Sequence, residues 1–156
     1  MITIKIPGYK ELKLKYLALD YNGTLAFNGM IIDGVKEKLK RISNNLEIHI
    51  ISAGTFGSIN EHLSDIDCVL SVIGAENQIR EKQKYIQQLG VKDTVAIGNG
   101  RNDRLMLKEA ELGIAVIQKE GASIESVMAA DLVTPDIISA LELLENPLRL
   151  IATLRS

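Results

Sequence analysis

Short apolar runs recur along this chain, and most gaps between them carry apolar residues at helical spacing. That alternation constrains the fold more than any other feature. A strand, a covering helix and a second strand make a crossover that pairs the strands in parallel. The apolar runs are 15–20, 46–51, 68–73, 94–97, 113–117 and 132–133. Between the first two, Val35, Leu39 and Ile42 share one stripe of a helix that opens at Asp33-Gly34 and closes at Asn44-Asn45. Ser58-Ile59-Asn60-Glu61 has the spacing of a capping box and predicts the start of a short helix. Further helices are expected over 77–89, over 102–110 and from Ser123. Thr134 and Pro135 suit the N-cap and first turn of a last helix, which Pro147 breaks or restarts. The pattern predicts an α/β fold, a three-layer α/β/α sandwich around a mostly parallel, Rossmann-like sheet. Residues 1–13 fall outside the rhythm. There, 3–6 and 11–14 flank Pro7-Gly8 and predict an N-terminal β-hairpin at a sheet edge.

The chain has 156 residues, which suit a single domain over 1–156. Its net charge of −2 argues against nucleic acid as a partner. No apolar run approaches the roughly 18 residues that would span a membrane, and the start of the chain lacks a signal-peptide pattern. The one cysteine, Cys68, lies in a strand-like run, where a buried, inert thiol is expected. Two histidines, His49 and His62, read as a packed or rim residue and an exposed one; Met106 and Met128 read as core. A cytoplasmic location is expected.

Four polar elements interrupt these runs at informative places. Asp20-Tyr21-Asn22-Gly23-Thr24 closes the first strand, and Ser52-Ala53-Gly54 closes the second. Lys82 lies early in the helix over 77–89. Gly98-Asn99-Gly100-Arg101-Asn102-Asp103 follows the strand over 94–97. In parallel sheets, ligands bind just past the carboxyl ends of strands, so three of the four elements would share one edge. The residue types suit phosphoryl transfer, which needs an in-line nucleophile, cations against the phosphate charge, and donors around its oxygens. Asp20 would attack phosphorus. Lys82 and a magnesium ion would offset the charge. The Ser52 hydroxyl, the backbone N–H groups of Ala53 and Gly54, and Asn102 would hold phosphoryl oxygens. Each piece has a plainer reading: an Asn-Gly turn, a capping Ser52, a surface lysine, a glycine-bearing helix cap. It is the four in order that point to chemistry.

This constellation resembles the haloacid dehalogenase superfamily. Residues 82–133 look especially like the phosphorylation domain of P-type ATPases, through Val95-Ala96-Ile97-Gly98-Asn99-Gly100, Asn102-Asp103, Leu112-Gly113-Ile114-Ala115-Val116 and Ala129-Ala130-Asp131-Leu132-Val133. The resemblance implies that Asp20 is the nucleophile and that Lys82 completes the catalytic pair. It implies Mg2+ held by Asp20, Asn22 (through its backbone carbonyl), Asn99 and Asp103. It also implies an acid at positions 22 and 99, where this chain has amides. Asn22 has no proton to give near neutral pH, so it cannot be a general acid. The expected function is a slow magnesium-dependent phosphatase or phosphotransferase acting through an aspartyl-phosphate. The alternative is a catalytically weakened domain that binds a phosphate-bearing ligand and regulates a partner. A third reading, an ATPase-like subunit working with separate partners, lacks a nucleotide-binding segment between Asp20 and Lys82. The gaps between the four elements leave no space for a cap domain, and the flap over 25–32 is short. The site is therefore expected to be open to a large phosphorylated substrate or to a second copy of the chain.

Overall fold

The structure, a computed structural model, describes residues 1–54 and 58–156 in full and residues 56 and 57 as helical backbone. In chain order, β1 is Ile2–Lys5, β2 Glu11–Leu14, β3 Tyr16–Asp20, β4 Ala26–Phe27 and β5 Met30–Ile31. Helix α1 (Val35–Ile42) leads to β6 (Glu47–Ser52), α2 (Phe56–Leu63) to β7 (Val69–Val72), and α3 (Gln78–Leu89) to β8 (Thr94–Gly98). A 3-10 turn over Arg101–Asp103 runs into α4 (Arg104–Glu109). Then come β9 (Leu112–Val116), α5 (Ile124–Ala129), β10 (Leu132–Thr134), α6 (Ile137–Glu145) and α7 (Pro147–Leu154).

Six strands form one parallel sheet in the order β10-β9-β8-β3-β6-β7. Alternation along each strand sends neighbouring side chains to opposite faces. Leu17, Leu19, Ile48, Ile50, Val95 and Ile97 pack against α1, α2, α6 and α7. The other face offers Ala18, Ala96 and Ala115 to Ile86 of α3 and to Met106 and Leu107 of α4. Small residues on this second face let those helices come close. At Gly113 a Cβ would stand 2.2 Å from the Leu107 carbonyl oxygen, so only glycine fits that approach. The α/β/α sandwich expected from the sequence is the fold observed.

The register brings the chemistry to one edge. Asp20 pairs with Ile51 on β6, and Leu19 pairs with Ile97 on β8. The last residues of the two neighbouring strands therefore flank Asp20, with Ser52 on one side and Gly98 on the other. β4 and β5 form a small antiparallel flap just after Asp20.

Several local expectations need correction. The N-terminal hairpin forms, but it pairs only with itself as a two-stranded sheet. Ile4, Leu12 and Leu14 are buried, so side-chain packing rather than strand pairing anchors it. Ser58 lies inside α2 and is not its N-cap. Thr134 is paired with Val116 in the sheet, so α6 cannot start there; Asp136 caps it by accepting a bond from Ser139 N at 2.7 Å. Met128 is exposed, whereas Met106 is core. Cys68 is half-buried, just ahead of β7. Among the described residues, no helix is long and apolar enough to cross a membrane.

Candidate active site

Lys82 organises the site. It projects from α3 and is fully buried, although its side chain is among the largest in the core. Its ammonium donates to Asp20 Oδ1 at 2.5 Å and to Asp103 Oδ1 at 2.6 Å. A buried charge is stable only when paired and hydrogen-bonded, and here three charges satisfy one another. The other oxygen of Asp103 accepts from the backbone N–H groups of Asn99 (3.1 Å) and Gly100 (2.9 Å). That tight turn explains Gly98, where a Cβ would stand 2.6 Å from the Asp103 carboxyl. The other oxygen of Asp20 accepts from the Thr24 hydroxyl at 3.0 Å.

Burial pushes the Asp20 carboxyl up to about 6, helped by the Asp103 charge and opposed by Lys82 and Thr24. Burial works against charge on Lys82, but the two carboxylates outweigh it and raise its pKa above the ordinary lysine value. The site thus sets two carboxyl groups against one ammonium.

The remaining predicted residues are placed around this core. Ser52 is buried at the end of β6, and its hydroxyl accepts from Gly54 N at 3.0 Å. Ala53 and Gly54 follow it at the rim. Asn22 is exposed, but its side chain reaches over the same loop: a Cβ on Gly54 would stand 3.3 Å from Ser52 Oγ and 3.5 Å from Asn22 Nδ2. Asn99 is buried beside Thr24, whose hydroxyl also lies 3.3 Å from Asn99 Oδ1. Asn102 donates to Gln78 Oε1 on α3 at 2.8 Å. Asp20, Lys82, Asp103, Asn99, Ser52, Gly54 and Asn22 thus share one sheet edge, while Asn102 ties the turn to α3. Asp103 accepts from Lys82 on Oδ1 and from two backbone amides on Oδ2, which leaves a lone pair on Oδ1 as its free acceptor site.

A divalent cation fits the oxygens that remain. Asp20 Oδ2 and Asn99 Oδ1 converge on the one Thr24 hydroxyl. All-oxygen donors of this kind suit magnesium, which keeps several waters. Among the described residues, no three His, Cys, Asp or Glu side chains gather as they would to hold a metal by themselves.

Sequence reasoning missed two loop residues. Gln118, after β9, donates to the Thr24 carbonyl oxygen and accepts from Ile137 N at 3.3 Å. Glu120 places Oε2 2.8 Å from where a Cβ on Gly23 would sit. Both are polar loop residues, a class with no periodic signal. A cleft of about 700 Å³ opens beside Gly23, lined by Phe27, Met30, Ile31, Ile32, Gln118 and Lys119. The Lys119 ammonium lies 5.6 Å from the centre of the Phe27 ring.

The sequence profile of the haloacid dehalogenase-like hydrolases matches residues 76–137, the stretch from just before α3 to the start of α6. An uncharacterized protein of Methanocaldococcus jannaschii is 53% identical over 64 residues, which are 41% of this chain and 69% of that protein. Two solved structures share the fold. The cobalt-bound deoxy-D-mannose-octulosonate 8-phosphate phosphatase of Haemophilus influenzae has a TM-score of 0.69 at 14% identity, covering 85% of this chain and 87% of that one. The corresponding phosphatase of Moraxella catarrhalis, in complex with a magnesium ion, a phosphate ion and KDO, has a TM-score of 0.66 at 16% identity, covering 92% and 94%.

Proposed function

We propose that this chain, which matches the haloacid dehalogenase-like hydrolases over residues 76–137, is a capless, single-domain phosphatase or phosphotransferase that works through an aspartyl-phosphate on Asp20. The observation that carries this reading is the buried ammonium of Lys82 bonded to Asp20 and Asp103 at 2.5 and 2.6 Å. A lysine sealed between two carboxylates at the sheet edge is costly for stability and useful for an anionic reaction.

Asp20 uses one oxygen to form a bond to phosphorus while the bond from phosphorus to the leaving oxygen breaks. Water then attacks phosphorus, frees the Asp20 carboxylate and releases inorganic phosphate. Lys82 holds Oδ1 in place and offsets the negative charge of the arriving phosphoryl group. Asp103 is a positioning residue that orients Lys82 and the turn over Asn99 and Gly100. The Ser52 hydroxyl and the Ala53 N–H offer donors to the phosphoryl oxygens, and the Gly54 N–H joins them by turning from Ser52 Oγ, with Asn102 placed at the α3 side. Asp20, Asn99 and the Asn22 carbonyl would hold a magnesium ion, which when bound supplies positive charge against the phosphoryl group. The structural neighbours bound to cobalt or magnesium support a divalent cation here. The substrate's remaining part would occupy the cleft beside Gly23, where Lys119 favours an anionic group.

The amides at 22 and 99 favour slow release of the phosphoenzyme. They also favour a second reading, a phosphate-binding regulatory domain without turnover. Turnover of acetyl phosphate and an aryl phosphate with magnesium separates the two. Wild-type protein is expected to turn over and to trap beryllofluoride, and Asp20→Asn is expected to do neither. Equal rates for wild type and Asp20→Asn would remove Asp20 as nucleophile.

A further inference from the structure

We propose that Gln118 is a positioning residue for phosphoryl transfer: its side-chain amide holds the Thr24 backbone where the Thr24 hydroxyl can fix the attacking carboxylate of Asp20. The role rests on the reading of Asp20 as nucleophile, and it falls to a residue that no motif marks.

Thr24 is fully buried, and its hydroxyl donates to Asp20 Oδ2 at 3.0 Å. Among the described residues, no backbone N–H bonds the Thr24 carbonyl oxygen; the donor it receives is Gln118 Nε2. A buried carbonyl left without a donor is costly, so the turn after Asp20 depends on this side chain. The same amide also works in the other direction. Gln118 Oε1 accepts from Ile137 N at 3.3 Å, one of the first N–H groups of α6, which no carbonyl within the helix can reach. An amide offers a donor and an acceptor from one planar group. Gln118 thus ties the nucleophile turn to α6 in a way that neither Glu nor Lys could.

The backbone gives independent support. Gln118 has a φ of +60°, in the left-handed region. The other non-glycine residues there, among the described residues, are Asn28 and Asn77, whose short polar side chains suit it. Glycine would serve this backbone better than glutamine, so Gln118 is explained by the two groups its side chain reaches. Neighbouring bonds fix the conformation: Ile117 N donates to Thr134 O at 3.0 Å and Gln118 N to Pro135 O at 2.8 Å.

The rate at which acetyl phosphate phosphorylates Asp20, followed by quenched-flow labelling, tests the role apart from release of the phosphoenzyme. Gln118→Met keeps the side-chain length and loses both polar atoms. It is expected to lower the maximal rate about tenfold, with the half-saturating concentration within about twofold, because Gln118 acts on the nucleophile rather than on bound substrate. Thr24→Val removes the hydroxyl through which Gln118 acts, so adding Gln118→Met to it should cost no more than about a further twofold. Gln118→Glu keeps the acceptor for Ile137 N but not the donor for Thr24, and should lose rate as Gln118→Met does. An unchanged rate in Gln118→Met or in Gln118→Glu would overturn the role, and so would a full tenfold loss on top of Thr24→Val. Each of those results leaves the phosphatase reading standing, since wild type still forms the phosphoenzyme and Asp20→Asn does not. Wild-type protein that forms no phosphoenzyme would end both.

Discussion

Around Lys82 two buried carboxylates share one ammonium, whereas at Asn22 and Asn99 neutral amides stand at the rim. The floor is buried, and its groups are held by two strands, a helix and a turn. The rim is formed by loops that follow those strands, and its side chains are exposed or bonded to other loops. The difference teaches where this site can vary. Altering the floor strands a buried charge, so a change there costs folding as well as function. The rim can exchange an acid for an amide without disturbing the core.

The largest effect should come from Lys82→Met. It leaves Asp20 and Asp103 buried together without their cation. Removing one member of a buried pair costs about 3–5 kcal/mol, and turnover should vanish with it. Denaturant unfolding at pH 7 checks this. The added variant Asp103→Asn should recover part of the loss, because one of the two stranded charges is then gone. A Lys82→Met protein as stable as wild type would erase the contrast between floor and rim.

At the rim, Asn22→Asp should do the opposite and raise activity. Its side chain already reaches the Ser52–Gly54 loop, so an acid there could protonate a leaving oxygen. General acid catalysis is worth about 10²–10⁴-fold. The gain should be large for alkyl phosphates and small for acyl phosphates, whose leaving groups need no proton. Equal gains across a series of leaving-group pKa values would mean that Asn22 limits something other than proton transfer.

How much of this was legible depends on where each residue sits. Asp20, Ser52 and Asn99 end or follow strands, so the alternation of runs was enough to bring them to one edge. Lys82 could be told from Lys84 only by its spacing to the turn at Gly98; in the structure Lys82 is buried and Lys84 is exposed beside Glu81. The double commitment of Asp103 was not legible, because hydrogen-bond partners four residues apart in a turn depend on its backbone path. Gln118 was invisible for a different reason: it reaches the Thr24 carbonyl from the irregular loop after β9, where no period marks a residue. Thr134 misled because two good capping residues stand two apart, and sheet pairing decided between them.

The smallest effect, and the sharpest test of the floor, is its pH dependence. Asp20 must be a carboxylate to attack phosphorus, and burial has pushed its pKa up to about 6. Turnover should therefore fall up to about tenfold per unit as pH drops below 6 and level off above it. Stability should move the other way. The folded protein holds the Asp20 proton more tightly than the unfolded chain does, so this contribution is full below the ordinary aspartate value and is lost as pH rises through 6. Between pH 6 and pH 4 the Asp20 contribution should strengthen the fold, by at most about 1.4 kcal/mol per unit, while activity disappears. Asp20→Asn should flatten that part of the stability curve. Saturating Mg2+ should move the activity midpoint to lower pH, because the cation competes with the proton for the same oxygens. An activity midpoint near 4 at limiting Mg2+ would mean that Lys82 outweighs burial at Asp20, and that the floor is balanced differently from the arrangement inferred here.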